Sequence, residues 1–430
     1  MKHLFLLTLA LLTGTVLTQA QDTTEVTHCH PHHPSALGIS SDNSMHLLYD
    51  LPPSQRDLIA GCRHLALDID ANGFFYDAEY ATSMAKGYTV TGFRLSPTLA
   101  YGINERAQLR IGFNATAFAG LDSLYRLRPT LSLVYVPTKW LTLVAGTIYG
   151  SHTHRLDAPV YDPSRWIFNY QEDGLQILTK TKIWNSDTWL DWQHYLTPWT
   201  PDQERFTMGT RHQFRIINIQ KRKTEWAGHD FCKDNELGWQ LSLPIHFIAS
   251  HRGGELKTID TNTVTTFNER IGLQIKHSFA NALRPSFHTI RFDMSVYDYH
   301  LEDRDLDRPG QAFYSTLSYE WMHWNKQQMA DWAVRAAVGF WHGNHYFSAF
   351  GDPRFWSHTA YASLHVPQST INAGYSIYNL LTFTLSAEHE FKGLNLGLQF
   401  DACYNPDHSK NSTDFLFGFY MRFKERFLLF

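Results

Sequence analysis

The stretch AQLRIGFNATAFAG sets Ala107, Leu109, Ile111, Phe113, Ala115, Ala117 and Ala119 at alternate positions, with Gln108, Arg110, Asn114 and Thr116 among the residues between them. Strand side chains point to opposite faces with a period of two, whereas a helix repeats every 3.6 residues, so this segment reads as a strand between an apolar and a polar medium. The pattern recurs. Leu131, Leu133 and Tyr135 alternate with Thr130, Ser132 and Val134, and Leu175, Ile177 and Ile183 interleave with Gln176, Lys180 and Lys182. Trp239 to Phe247, Ile271 to Lys276 and Leu394 to Asp401 repeat it.

Alternation alone also suits a soluble β-sandwich. Length separates the two. The segments run to about 10 to 15 residues, the span a lipid-crossing strand needs, where sandwich strands average about five or six. Connections alternate as well. Short turns at Asn104 to Arg106, Pro137 to Lys139 and Asn185 to Asp187 exchange with long loops at His152 to Asp173, Gly253 to Thr263 and Leu301 to Pro309, the asymmetry of outer-membrane barrels. The stretch from Asn218 to Glu236 departs from it, being long where a short turn is expected. The expected fold is therefore all-β, a transmembrane antiparallel β-barrel of about 16 strands. Eighteen is the next choice, because Ile371 to Phe391 reads either as one strand or as a hairpin.

Beyond Ala20 no run of 18 apolar residues exists, and the mean hydropathy is -0.33, which excludes helical spans but not strands. Aromatic residues make up 15% of the chain, a fraction suited to membrane interfaces. The net charge of -4 gives no reason to expect nucleic acid. Lys2, the apolar stretch Leu4 to Leu12 and the small-residue exit at Thr18 to Ala20 follow the plan of a cleaved signal peptide. The expected organisation is a signal peptide at 1–20, a His-rich periplasmic leader or partial lumen plug at 21–72, and a barrel at 73–430.

In the tail DFLFGFYMRFKERFLLF, Phe415, Phe417, Phe419, Met421 and Phe423 form one greasy ridge, Tyr420, Arg422, Lys424 and Arg426 face the other way, and Phe430 is last. This resembles the terminal strand of the porin-like outer-membrane β-barrel proteins of Gram-negative bacteria. The resemblance implies residence in the outer membrane, contact with its lipid and lipopolysaccharide, and recognition of the final aromatic residue by the barrel insertion machinery. It is architectural and names no substrate.

Assigning faces strand by strand puts Arg94, Arg110, Arg126, Arg128, Lys180, Lys182, Arg205, Arg211, Arg215, Arg270, Lys276, Arg291, Arg335, Arg422 and Lys424 inside. They outnumber the inward acids Asp77, Glu79, Asp191, Asp293, Glu320, Glu388 and Asp401. Rings of Arg and Lys favour anions, so the expected function is a porin-like channel for small polar, anionic solutes. The bland alternative is that these groups pair with acids or with loops folded inside. A rival function is Zn or Cu uptake through His28, Cys29, His30, His32 and His33, whose imidazoles and thiol are ligands for such ions; an unstructured polar leader accounts for that tract more simply, and no other cofactor is expected.

The glycines of HRGGEL, His251 to Leu256, permit a turn more simply than they mark a binding role for His251 and Glu255. Trp184, Trp189, Trp192 and Trp199 suit interface anchoring better than sugar stacking. A lipid-modifying enzyme is the lesser alternative. The local pairings His408 with Ser409, and Ser357 with His358, are neighbours whose side chains diverge on a strand, so the expectation is a non-enzyme with no catalytic residues. Cys29, Cys62, Cys232 and Cys403 are an even set, Cys29 with Cys62 being the simplest pair.

Overall fold

The computed structural model describes residues 58, 61–80, 85–150, 153–195, 203–220, 237–253, 264–281, 286–301, 309–324, 330–357, 377–391, 394–407 and 413–429. The leader residues His28, Cys29, His30, His32 and His33 lie outside them, as do Cys29 and Cys232 of the expected cysteine set, His408, Ser409 and His358.

Sixteen strands follow in chain order: β1 (Leu65–Glu79), β2 (Tyr88–Asn104), β3 (Ala107–Phe118), β4 (Arg126–Thr138), β5 (Leu141–Ile148), β6 (Glu172–Lys180), β7 (Trp184–His194), β8 (Glu204–Gln220), β9 (Gly238–Gly253), β10 (Val264–Asn281), β11 (Ser286–Leu301), β12 (Gly310–Trp324), β13 (Ala330–Asn344), β14 (Ile377–Phe391), β15 (Leu394–Tyr404) and β16 (Thr413–Leu428). Each pairs antiparallel with its sequence neighbours, and β16 pairs with β1, so the sheet closes without an edge. The count is 16 rather than 18 because β14 is one strand from Ile377 onward.

β1 begins at Leu65, inside the segment that alternation assigns to the leader. Leu65, Leu67, Ile69 and Ala71 share its outward face with Gly73, and the weak apolar signal of Ala71 and Gly73 hides the strand. Ahead of it, Arg63 N–H donates to Gly102 O at 2.7 Å, and Leu58 is fully buried in the same apolar cluster as Val134, Val136 and Val144.

The outer surface is apolar: Ile111 is 52% exposed, Leu131 58% and Val296 57%. A band of this kind around a closed cylinder is a lipid-facing wall. At the short-turn end it is bounded by stacked rings, Trp239 with His277 at 4.3 Å and Trp332 with His389 at 4.2 Å, amphipathic groups suited to the headgroup boundary. No helix among the described residues is long and apolar enough to cross a membrane, and the crossing is made by strands. The chain is an outer-membrane β-barrel.

Apolar side chains among the described residues occupy much of the lumen. Two segments between strands fold into it, one at 149–150 and 153–171 carrying the short helix α1 (Arg165–Phe168), the other at 345–357 carrying a 3-10 turn at Pro353–Phe355. Tyr149, Leu156, Val160, Tyr161, Tyr346, Phe347, Phe355 and Trp356 are buried there in one cluster with inward strand residues including Tyr297, Tyr314 and Trp341.

Candidate functional site inside and around the barrel

The two inward segments grip each other. Tyr346 Oη donates to Pro159 O at 3.1 Å, Ser348 Oγ to Val160 O at 2.9 Å, and the Asp352 and Asp162 N–H groups to Ala158 O and Phe350 O at 2.9 and 2.6 Å. Arg165 lies over the Phe350 ring at 4.2 Å. Backbone groups taken out of water inside the barrel are satisfied by this exchange, which lets irregular segments persist there.

Polar wall residues fix the first segment. His154 is fully buried, with Nδ1 2.9 Å from Asp187 Oδ2 and Nε2 2.8 Å from Glu172 Oε2. Its ring stacks on Trp189 at 3.6 Å. Burial alone would depress its pKa, but the charges and hydrogen bonds of Asp187 and Glu172 outweigh that and raise it to about 9. His154 is thus an imidazolium holding two carboxylates, not a general base, since neither ring nitrogen has a lone pair to offer. Tyr161 Oη donates to Glu172 at 2.5 Å, and Gln176 Nε2 to Asp187 at 2.9 Å. Gly209 makes room for Trp189: a Cβ there would stand 2.2 Å from the indole.

Further round the wall, Arg270 joins Asp157 at 2.6 Å to Asp293 at 2.7 Å, and Tyr297 Oη donates to Asp157 at 2.7 Å. In the second segment Arg354 is clamped by Asp352 and stands 3.8 Å from Asp401. Burial and the neighbouring charge of Asp352 push the Asp162 carboxyl up to about 6.

Of the fifteen basic residues assigned inside, the eleven arginines and Lys276, expected to line a solute path, all occupy inward positions, but their partners differ from that expectation. Arg94 donates to Trp166 O at 2.8 Å and stacks on Tyr170 at 3.8 Å. Arg110 faces Asp68 at 3.7 Å, and Arg422 donates to Asp70 at 3.0 Å. Arg291 and Arg335 share Glu320 at 3.2 and 3.6 Å. Arg211 donates to Gln213 at 2.9 Å and Arg215 to Lys182 O at 3.3 Å. Arg126 donates to Asn169 Oδ1 at 2.9 Å, and Arg128 to Gln171 O at 3.1 Å and to Asp173. Arg205 is exposed at the start of β8, and Lys276 is half-buried.

The acid side of the expected balance needs correcting. Asp77 and Glu79 face outward, Asp77 hydrogen-bonded to Thr89 and Glu79 opposite Phe415, while Asp68, Asp70, Glu172 and Asp187 face inward and offset much of the basic excess. Among the tryptophans, Trp189 is inside the barrel against His154, Trp184 and Trp192 lie on the outer face, and Trp199 lies outside the described residues. Sequence reasoning missed the carboxylates around His154 because their partners come from separate strands and a loop. The one available signal was a histidine inside a long connection.

On the outer face three histidines meet hydroxyls. Ser286 Oγ is 3.0 Å from His288 Nε2, whose Nδ1 is 2.7 Å from Tyr319 Oη, and Thr210 Oγ1 is 3.1 Å from His212 Nε2; both sets lie toward the short-turn end. At the opposite, long-loop end His251 Nδ1 is 3.0 Å from Thr265 Oγ1, and its ring stacks on Phe206 at 4.8 Å beside Trp192. Each hydroxyl fixes the orientation of a ring, and an imidazole nitrogen that keeps its lone pair can accept a proton. Ser357, the described half of one expected pairing, is buried and donates from Oγ to Tyr346 O at 3.4 Å while accepting from Tyr346 N–H.

A family model described as Lipid A 3'-O-deacylase-type matches residues 54–430. This overturns the expectation of a non-enzyme, since that family is described by an enzymatic activity. The expectation rested on sequence-adjacent pairs, and adjacency says nothing about residues that a barrel brings together across strands. No curated protein matches the chain. Among solved structures, OprB of Pseudomonas putida is similar at 8% identity and a TM-score of 0.47, over 85% of this chain and 94% of that one. OccAB2 of Acinetobacter baumannii is similar at 9% identity and 0.44, over 85% and 99%. An anion-selective porin of Comamonas acidovorans is similar at 9% identity and 0.44, over 84% and 98%.

Proposed function

Since the chain belongs to the lipid A 3'-O-deacylase-type family, we propose that it is an outer-membrane hydrolase that removes an acyl chain from a glycolipid of the lipid A class. The family match across the whole barrel carries this reading. In the reaction a water oxygen adds to the acyl carbonyl carbon, the acyl carbon–oxygen bond breaks, the sugar oxygen takes a proton, and a free fatty acid leaves. The group best placed to accept the water proton is His251, on the lipid face at the long-loop end, the outer-leaflet side of a barrel of this kind. Thr265 orients its ring and Phe206 covers one face. The packed lumen favours a reaction at the wall over free diffusion through the middle.

The test is incubation of the full chain, extracted in detergent, with lipid A in mixed micelles, followed by mass spectrometry. The expected product lacks one acyl chain, and His251→Gln lowers its rate by about a hundredfold or more, the usual worth of a general base. A second reading, a channel for anionic solutes, is favoured by the inward arginines and by the exposed Arg205 at the barrel mouth. Intact lipid A together with steady anion-selective conductance in a planar bilayer would replace the first reading by the second.

A further inference from the structure

The barrel wall is uneven in height. β5 has 8 residues and β6 has 9, while β4 has 13 and β8 has 17. Eight residues cover about 27 Å along a strand, or about 19 to 22 Å along the membrane normal at the usual tilt, against an apolar band of about 25 Å. The short-turn ends are level, since β4 meets β5 through Thr138 and Leu141 and β6 meets β7 through Lys180 and Asn185. The missing height is therefore on the outer-leaflet side. There the chain leaves β5 after Ile148 and turns into the lumen. Gly146, at φ +91° and with Leu131 O where a Cβ would stand at 2.2 Å, lies in β5 near this point.

What fills the gap is polar. Arg128 reaches past the end of β5 to Asp173 on β6, and Thr147 Oγ1 donates to Asp173 at 2.8 Å. Gln171 Nε2 donates to Pro129 O at 2.7 Å, and Arg126 binds the neutral amide of Asn169. Arg128 and Asp173 remain about a third exposed, at 31% and 33%. On the wall beneath this polar notch Leu131 of β4 and Leu175 of β6 are more than half exposed, at 58% and 56%, and Leu127 stands between the two arginines at 61%.

We propose that the notch over β5 and β6 is the docking site of an outer-leaflet anionic lipid, whose phosphate is held by Arg126 and Arg128 and whose acyl chains lie on Leu127, Leu131 and Leu175. Guanidinium forks match phosphate oxygens, and a short wall lets a headgroup lying at bilayer depth reach them sideways. Only the identity of the lipid rests on the hydrolase reading above; the site itself follows from strand lengths and the polar patch.

The experiment measures retention of bisphosphorylated lipid A, and of its dephosphorylated form, on the full detergent-extracted barrel by native mass spectrometry. Arg126→Gln with Arg128→Gln is expected to lower retention of the phosphorylated lipid about tenfold and leave the dephosphorylated lipid unchanged. Lys139→Gln, at the other end of the same hairpin, is expected to behave as the parent. Equal retention by the double variant and the parent overturns the proposal, as does displacement of the lipid by an equimolar amount of inorganic phosphate. If the glutamine pair fails to fold, Arg126→Lys with Arg128→Lys serves instead: loss of at least threefold of the phosphorylated lipid supports a fork-specific site, and unchanged retention overturns it. Retention is read without acyl release, so an inactive barrel that still binds the lipid separates this site from the hydrolase reading.

Discussion

His154 shows how one residue decides the state of the lumen. Replaced by glutamine, it would leave Asp187 and Glu172 buried with no cation between them, and breaking a buried ion pair in this way costs about 3 to 5 kcal/mol. The expected outcome is a lower unfolding temperature for His154→Gln, read by the heat-dependent mobility of the barrel on gels. The pH dependence has a definite sign. Because the folded pKa is raised from 6.5 to about 9, the stabilisation is complete below about pH 6.5 and is lost as pH rises through 9. Unfolding temperatures measured from pH 6 to pH 10 should fall across that window in the parent and less steeply in His154→Gln. Gly209→Ala is expected to destabilise by about 1 to 3 kcal/mol, because its methyl group would collide with the Trp189 ring that covers the imidazole.

At the scale of elements, alternation made the wall legible and left the interior obscure. Ile111, Leu131 and Phe417 announce their strands because lipid on one side and polar groups on the other impose a period of two. Arg270 and Arg422 were legible as inward for the same reason. Their partners were not: Asp157 comes from an inward segment and Asp70 from the opposite end of the chain, and no local pattern encodes a contact across such a separation. The segments at 153–171 and 345–357 carry no period at all, yet they pack into the lumen. Replacing 345–357 by a short turn should remove all of their mutual grip. Single-channel recordings are expected to show a conductance step larger than that of the parent, and an unchanged trace would mean that the first segment alone closes the passage.

For the whole molecule, closure depends on β1 and β16 meeting. Arg422 with Asp70 and Arg426 with Asp68 cross that seam, the second pair at 2.6 Å. Asp70→Asn is expected to lower the temperature at which the barrel opens on gels, since a buried guanidinium would lose its counter-charge. The family membership was beyond reach of the alternation pattern, because porins and hydrolases share the same wall and differ in what a few side chains do.

The grip between the two inward segments also orders events in time. Ser348 and Val160 lie on opposite halves of the chain, so their bond forms only when the strands between them stand in place. Until then Asp157 and Arg354 travel through the bilayer's neighbourhood without their charge partners on the far wall. A half-built cylinder is therefore penalised by its own cargo, and completion of the ring and filling of its centre become a single late step.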